Sequence, residues 1–219
     1  MKYTKTKYKI VNPRIPNELD EFQCFNNNIQ KYDSVCMAVI CDCSIENQTA
    51  EHVSFEQMVF RNVTFKHISF NFLDLTDVRF ENCDLSNIDF YGSIIHRVEM
   101  VNCKIMGINL NEATLQNVIF DNCNGSYASF TFARCKQVNF KECLLSNAIF
   151  QEVNFDKVSF DHSDLQQAEM SGTKLNGIDL SNCEIEGLVV KIQDLYGAIV
   201  SPIQTISLSK LLGLTVKYD

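Results

Sequence analysis

The sequence predicts an all-β fold of the solenoid class, and three observations predict it. From Phe55 to Val200 every fifth residue is bulky and apolar, starting Phe55, Phe60, Phe65, Phe70, Leu75, Phe80 and closing Leu180, Ile185, Val190, Leu195, Val200. Of the thirty positions in this series only Gly125 and Cys135 are not Phe, Leu, Ile, Met or Val. A helix would space its apolar residues by three and four and a strand would alternate, so neither template fits. A short period held without slippage over such a length marks a repeat rod.

The remaining positions of the unit give the second and third observations. Two residues before each central residue stands a smaller apolar or near-apolar group, as at Val63, Ile68, Val78, Cys83, Ile88, Ala113, Cys123 and Ala148. The last position of the unit favours residues that tolerate a positive φ: Gly92, Gly107, Gly172, Gly177, Gly187 and Gly197, with Asn62, Asn82, Asn87, Asn102, Asn122 and Asn147 among others. That is the choice a tight turn demands at each corner. Two inward groups, polar outward groups and a corner make one side of a coil.

The unit, read as A/C-(D/N)-(L/F)-x-x and seen in Cys83-Asp84-Leu85-Ser86-Asn87 and in Ile178-Asp179-Leu180-Ser181-Asn182, resembles the pentapeptide-repeat family. The resemblance runs from about Val35 to Val200. It implies a right-handed quadrilateral β-helix with twenty residues per coil. Taking that coil length, Cys43, Cys83, Cys103, Cys123, Cys143 and Cys183 fall into one column, and Phe60, Phe80, Met100, Phe120, Phe140, Phe160 and Leu180 into another. Phe120 is therefore expected between Met100 and Phe140, fully buried. Gly125 and Cys135 lie on opposite sides of one coil, which is expected to be thin there, distorted, and filled by Tyr127 or Phe132 turning inward.

The ends read differently. Residues 1–34 carry Pro13, Pro16 and five basic residues before Ile15, and are expected to form an N-terminal cap with a flexible basic tail. Residues 35–200 form the β-helix. In residues 201–219, Ser201 is a good N-cap, Pro202 suits the first helical position and Gly213 suits the residue after the helix. A short helix is expected, then a strand over Leu214, Val216 and Tyr218, where apolar residues alternate. With Ile203, Ile206, Leu208, Leu211 and Leu212 too widely spread for one helix face, some of this apolar surface needs a partner. The module resembles the C-terminal dimerisation element of the quinolone-resistance (Qnr-type) branch of the family, which implies a homodimer.

Composition bounds the chemistry. The ten cysteines are expected as buried structural thiols, because a column of parallel side chains does not converge on a metal; reduced thiols suit a cytoplasmic location. His52, His67, His96 and His162 fall on different sides or corners, and no phosphate loop or metal-binding pair is present, so no enzyme, cofactor or metal is expected. No apolar stretch is long enough to cross a membrane. Residues 1–17 hold five basic residues and no acid, so residues 18–219 carry 14 basic and 27 acidic residues, a net of −13.

The acids gather on particular sides. The side centred on Phe60 and Phe80 has Glu81, Glu99, Asp121, Glu142, Asp161 and Asp179 against Arg61, Arg79 and Lys141, and the side centred on Phe70 and Phe90 has Asp89, Glu112, Glu152 and Glu169 against Lys191. The side centred on Leu75 is the exception, with Arg97, Arg134, Lys136, Lys157 and Lys174. Phe72, Tyr91 and Phe132 occupy turn positions near one corner, among those acids, and form a candidate partner-contact edge. The family resemblance implies a DNA-mimicking acidic rod that binds DNA gyrase or topoisomerase IV and shields it from quinolones, with no direct nucleic-acid or membrane partner. A structural scaffold docking some other protein is the alternative.

Overall fold

The computed structural model describes residues 8–22 and 28–217. Its frame is a stack of parallel strands, Asp74–Glu81, Ile94–Val101, Thr114–Asp121, Arg134–Lys141 and Asn154–Asp161. Each residue pairs with the one twenty later, as Leu75 with Ile95 and Phe120 with Phe140. Every such strand crosses two sides of the quadrilateral and bends at its fourth residue. That residue takes a left-handed conformation, with φ of 56° at Asp77, 53° at Arg97 and 55° at Asn117. It drops out of the ladder, so pairing passes from Gln116–Lys136 directly to Val118–Val138.

The other two sides carry a full ladder only at the N-terminal end, where Ser44–Glu51 pairs with Thr64–Asn71, and are stitched by single bridges beyond it, such as Asp84 to Lys104 and Asp89 to Asn109. Hydrogen-bonded turns close their corners: the amide of Ile108 donates to the carbonyl of Ile105 (3.2 Å), and that of Ala148 to Leu145 (3.0 Å). A turn of this kind needs φ > 0 at its third residue, which is where Gly107 (65°) and Asn147 (60°) stand. The corner preference in the sequence thus has a direct backbone cause.

Inside, the five-residue series becomes stacked rings. Phe120 is fully buried, opposite Met100 and Phe140, and its ring lies 4.9 Å from that of Phe140 at an interplanar angle of 2°. The Phe130–Phe150 stack repeats at 4.8 Å and Phe140–Phe160 at 5.0 Å, the spacing of neighbouring strands. The smaller inward column holds the thiols, and Cys83, Cys103, Cys123, Cys143 and Cys183 donate to the carbonyl 23 residues earlier, as Cys123 to Met100 (3.3 Å) and Cys143 to Phe120 (3.3 Å). Ser163 fills the same position and makes the same bond to Phe140 (3.2 Å). Small polar side chains thereby satisfy corner carbonyls. Burial pushes the Cys135 thiol up to about 12 and that of Cys183 to about 11, so these thiols stay protonated and inert.

Three expectations need correction. The coil holding Gly125 and Cys135 is regular: Cys135 is buried, while Tyr127 and Phe132 are 62% and 59% exposed. The place of the missing Gly125 side chain is taken from the adjoining coils, with Leu145 Cδ2 3.0 Å and Ile105 Cδ1 3.3 Å from where a Cβ would stand. Stacked neighbours fill a gap more cheaply than a corner can invert. Strand pairing also begins earlier than residue 35, with Asp20–Phe22 alongside Ala38–Ile40. Finally, Leu214 to Lys217 form no strand, since alternation alone supplies no ladder partner; Tyr218 lies outside the described residues.

The segment ahead of the first strand is not a free tail where it is described. Residues 8–16 run along the corner formed by Gln57, Asp77, Asn117 and Gln137. The Arg14 amide donates to Asp77 Oδ1 (2.9 Å) and the Val11 amide to Asn117 Oδ1 (3.1 Å). Gln137 Nε2 donates to the Lys9 carbonyl (2.8 Å), and Gln57 Nε2 to that of Arg14 (3.4 Å). This strap buries corner side chains that would otherwise face solvent, Asp77 to 4% and Asn117 to 6% exposure. Lys2, Lys5 and Lys7 of the expected basic tail lie outside the described residues.

At the other end, helix α1 (Pro202–Ser209) starts as expected: Ser201 caps it, with Gln204 completing a capping box, and Gly213 takes φ 73° after its last turn. Gln204 also closes the rod. Its buried Nε2 donates to the carbonyls of Leu180 (2.7 Å) and Cys183 (2.8 Å), the first of which also accepts the Cys183 amide (3.0 Å) in the corner turn.

Candidate functional site

The sequence-predicted acids separate into two unlike groups. On the Phe80 side they are paired along and between coils. Glu81 lies 2.7 Å from Arg61 and 2.9 Å from Arg79, Glu99 3.3 Å from Arg79, and Asp121 3.1 Å from Lys141; Glu142 is 3.9 Å from Lys141. Because one coil is one ladder step, residues twenty apart stand directly opposite, and opposite charges there neutralise one another. Asp161 and Asp179 continue this side toward the C-terminal end, half-exposed.

The second group lines the corner of Phe72 and the side leading to it. Position twelve of successive coils is held by Tyr32, His52, Phe72, Gly92, Glu112, Phe132 and Glu152. The Tyr32 and His52 rings stack at 5.2 Å and those of His52 and Phe72 at 5.1 Å. Phe72 then lies over Gly92, where a Cβ would come within 2.7 Å of its ring, and meets Tyr91 edge-on at 5.8 Å. Gly92 is what lets that ring lie down. The Tyr91 phenol bonds Glu112, which raises its pKa. Phe132, Glu112 and Glu152 are exposed. Asp89 is held in place by Asn109 Nδ2 (2.7 Å) and the Tyr91 amide (3.2 Å), and Glu169 by the Ser171 amide (2.9 Å). Among the described residues, Asp89, Glu112, Glu152 and Glu169 have no ion-pair partner.

Sequence reasoning brought Phe72, Tyr91, Phe132, Glu112 and Glu152 to this edge but missed Tyr32 and His52, which extend it by two coils. Their shared remainder modulo twenty was the available signal. The basic residues of the Leu75 side also divide. Arg97 is taken up by Asp77, with Nε–Oδ1 2.5 Å and Nη2–Oδ2 2.6 Å, whereas Arg134, Lys136, Lys157 and Lys174 are exposed. Among the described residues no three His, Cys, Asp or Glu side chains converge as a metal site would require.

The rod's C-terminal end carries the expected apolar surplus. Leu208 and Leu211 pack against the last coil, while Ile203 and Leu212 are 78% and 61% exposed and Leu214 and Val216 are exposed as well; Ile206 is half-buried. An apolar cleft of about 330 Å³ opens here between Ile192, Leu195, Leu208, Leu211, Leu212 and Leu214.

Comparison with known proteins agrees with the register. The profile described as "Pentapeptide repeat region" matches residues 73–150, and "Pentapeptide repeats (8 copies)" matches 139–177 and 148–187. The chain belongs to the pentapeptide-repeat family. A pentapeptide-repeat chain of this kind is similar to the uncharacterized protein YisX of Bacillus subtilis (strain 168), at 37% identity over 131 residues, covering 60% of this chain and 61% of that one. The chain thus spans about three fifths of the curated relative it matches. Among solved structures it is similar to a trypsin-treated variant of QnrB1, a plasmid-mediated fluoroquinolone resistance protein, at 21% identity with 91% and 97% of the two chains covered and a TM-score of 0.49. It is also similar to HetL, involved in heterocyst differentiation regulation in Nostoc sp. strain PCC 7120, at 16% identity, 76% and 86% coverage and a TM-score of 0.42.

Proposed function

We propose that this pentapeptide-repeat protein is a non-enzymatic DNA mimic that docks on a type II topoisomerase, DNA gyrase or topoisomerase IV, and shields it from quinolones in the cytoplasm. The observation that supports the reading best is the Phe72 corner, where carboxylates with no ion-pair partner among the described residues stand beside exposed aromatic rings. Rings are good anchors at interfaces, and carboxylates without cationic neighbours keep their field for a basic saddle. A net of −13 on residues 18–219, over a rod of about nine coils at ~4.8 Å, is about one charge per ~3.5 Å. Duplex DNA carries one per ~1.7 Å, so the rod is steered to a DNA site without reproducing each phosphate. The charge pairing on the Phe80 side favours a second reading, a scaffold that docks a protein other than a topoisomerase.

The test is gyrase supercoiling in the presence of a quinolone, with the protein and with its Glu112→Lys/Glu152→Lys/Glu169→Lys variant. Protection by the protein, weaker binding by the variant and a flatter salt dependence are expected. No effect of the protein well above stoichiometric amounts leaves the scaffold reading; equal affinity of a folded triple variant removes this edge from the interface. The C-terminal apolar surface is assigned to a two-fold mate, which sedimentation checks: a monomer at micromolar concentration overturns the assignment.

A further inference from the structure

The strap's hydrogen bonds to this corner run through its main chain, while its Tyr8 side chain is half-buried beside Ser159 and Asp161. Two of its amides, of Val11 and Arg14, donate to Asn117 and Asp77, and two of its carbonyls, of Lys9 and Arg14, accept from Gln137 and Gln57. The four side chains that hold it stand at one position of four coils, with φ between 54° and 56°, so the corner presents a column of amide and carboxylate groups. Its spacing suits an extended chain. From Arg14 to Val11 the strap advances three residues, about 10 Å at ~3.3 Å each, while Asp77 and Asn117 are two coils apart, also about 10 Å. Along the strap Tyr8, Ile10, Pro13 and Ile15 are half-buried, whereas Lys9, Val11 and Arg14 are exposed. Val59, which points outward from the rod, is nonetheless buried and stands outside the core.

We propose that the Asp77 corner is a binding site for extended polypeptide, read through its main chain, and that residues 8–16 occupy it as a displaceable strap. Groups that every residue carries supply the hydrogen bonds, so an extended segment of a partner protein fits the column once the strap leaves. Asp77 is the fixed point: Arg97 clamps both its oxygens and leaves Oδ1 to accept the strap amide. The strap's apolar side chains other than Val11, Pro16 included, are half-buried and none is fully enclosed. This site stands on the corner bounding the Leu75 side, away from the Phe72 edge, and does not depend on the topoisomerase reading.

The strap carries trypsin sites at Lys9 and Arg14. In the intact protein, Asn117→Ala/Gln137→Ala should raise the rate of cleavage after Lys9 about ten-fold by removing two strap bonds, while circular dichroism of the rod is unchanged. An unchanged rate in the folded double variant overturns the proposal. A chain lacking residues 1–17, once shown by circular dichroism to be folded, should bind a fluorescent peptide of residues 8–17 and a main-chain-matched peptide with altered side chains at Lys9, Val11 and Arg14 within about three-fold of each other. Binding of the first alone overturns main-chain reading, and binding of neither overturns the site. Should the shortened chain fail to fold, the cleavage result on the intact protein decides.

Discussion

Truncating Phe120 to alanine tests the stacked core directly. The side chain is fully buried, between Met100 and Phe140, with one ring parallel at 4.9 Å and another, Phe130, edge-on at 6.3 Å. Removing a buried side chain of this size forfeits about 1.5–3 kcal/mol of transfer energy, and the lost ring contacts add about 0.5–1.5 kcal/mol. The flanking strands are locked in register on both faces and cannot collapse into the gap, so the cavity brings the total to about 3–5 kcal/mol. The same column holds Met100 and Leu180, so Phe120→Leu should cost less than about 1.5 kcal/mol. Urea unfolding followed by far-ultraviolet circular dichroism measures both. A loss below about 1.5 kcal/mol in Phe120→Ala with an unchanged m-value would refute the argument, since it would mean the coils close up around a missing ring.

Two other outcomes follow from the ends of the rod. Gln204→Ala removes the donor to two terminal carbonyls and half of a capping box, and should destabilise the last coil by about 2 kcal/mol; amide exchange should rise around Leu180 to Cys183 and α1 while the coils near Phe120 stay protected. Asp77 gives a pH dependence: burial pushes its carboxyl up, but the bonds from Arg97 and the Arg14 amide prevail and hold it below its ordinary value. A depressed carboxyl pKa contributes stability above the unfolded value, about 3.9, and that contribution is lost as pH falls through the lower folded value. Protection of the Arg14 amide should therefore persist down to the ordinary carboxyl value, about 3.9, and be lost only in stronger acid; protection undiminished at about pH 1, below both values, would contradict the role given to Asp77.

The arrangement of the rod was legible because a solenoid makes long-range structure out of local repetition. Once the coil is twenty residues long, the neighbour of Phe120 is Phe140 by counting, and the corner at Gly107 follows from what a turn requires. The start of α1 was legible for the same reason, since Ser201, Pro202 and Gly213 act on backbone within one or two turns. Charge pairing lay between the two cases: Arg61 and Glu81 are twenty apart and could have been matched, but summing charges by side hides which of them face each other.

Tertiary structure decided the rest. Alternation over Leu214 and Val216 describes a side-chain pattern, and a strand exists only where another backbone completes its ladder. The coil at Gly125 stays regular because Ile105 and Leu145, from the coils on either side, lean into the gap, a response no single coil's sequence contains. The strap was the least legible element. Residues 8–16 bind through amides and carbonyls common to every sequence, to side chains up to 128 positions away along the chain. Main-chain recognition leaves no pattern in the residues it recognises, so only the folded corner shows it.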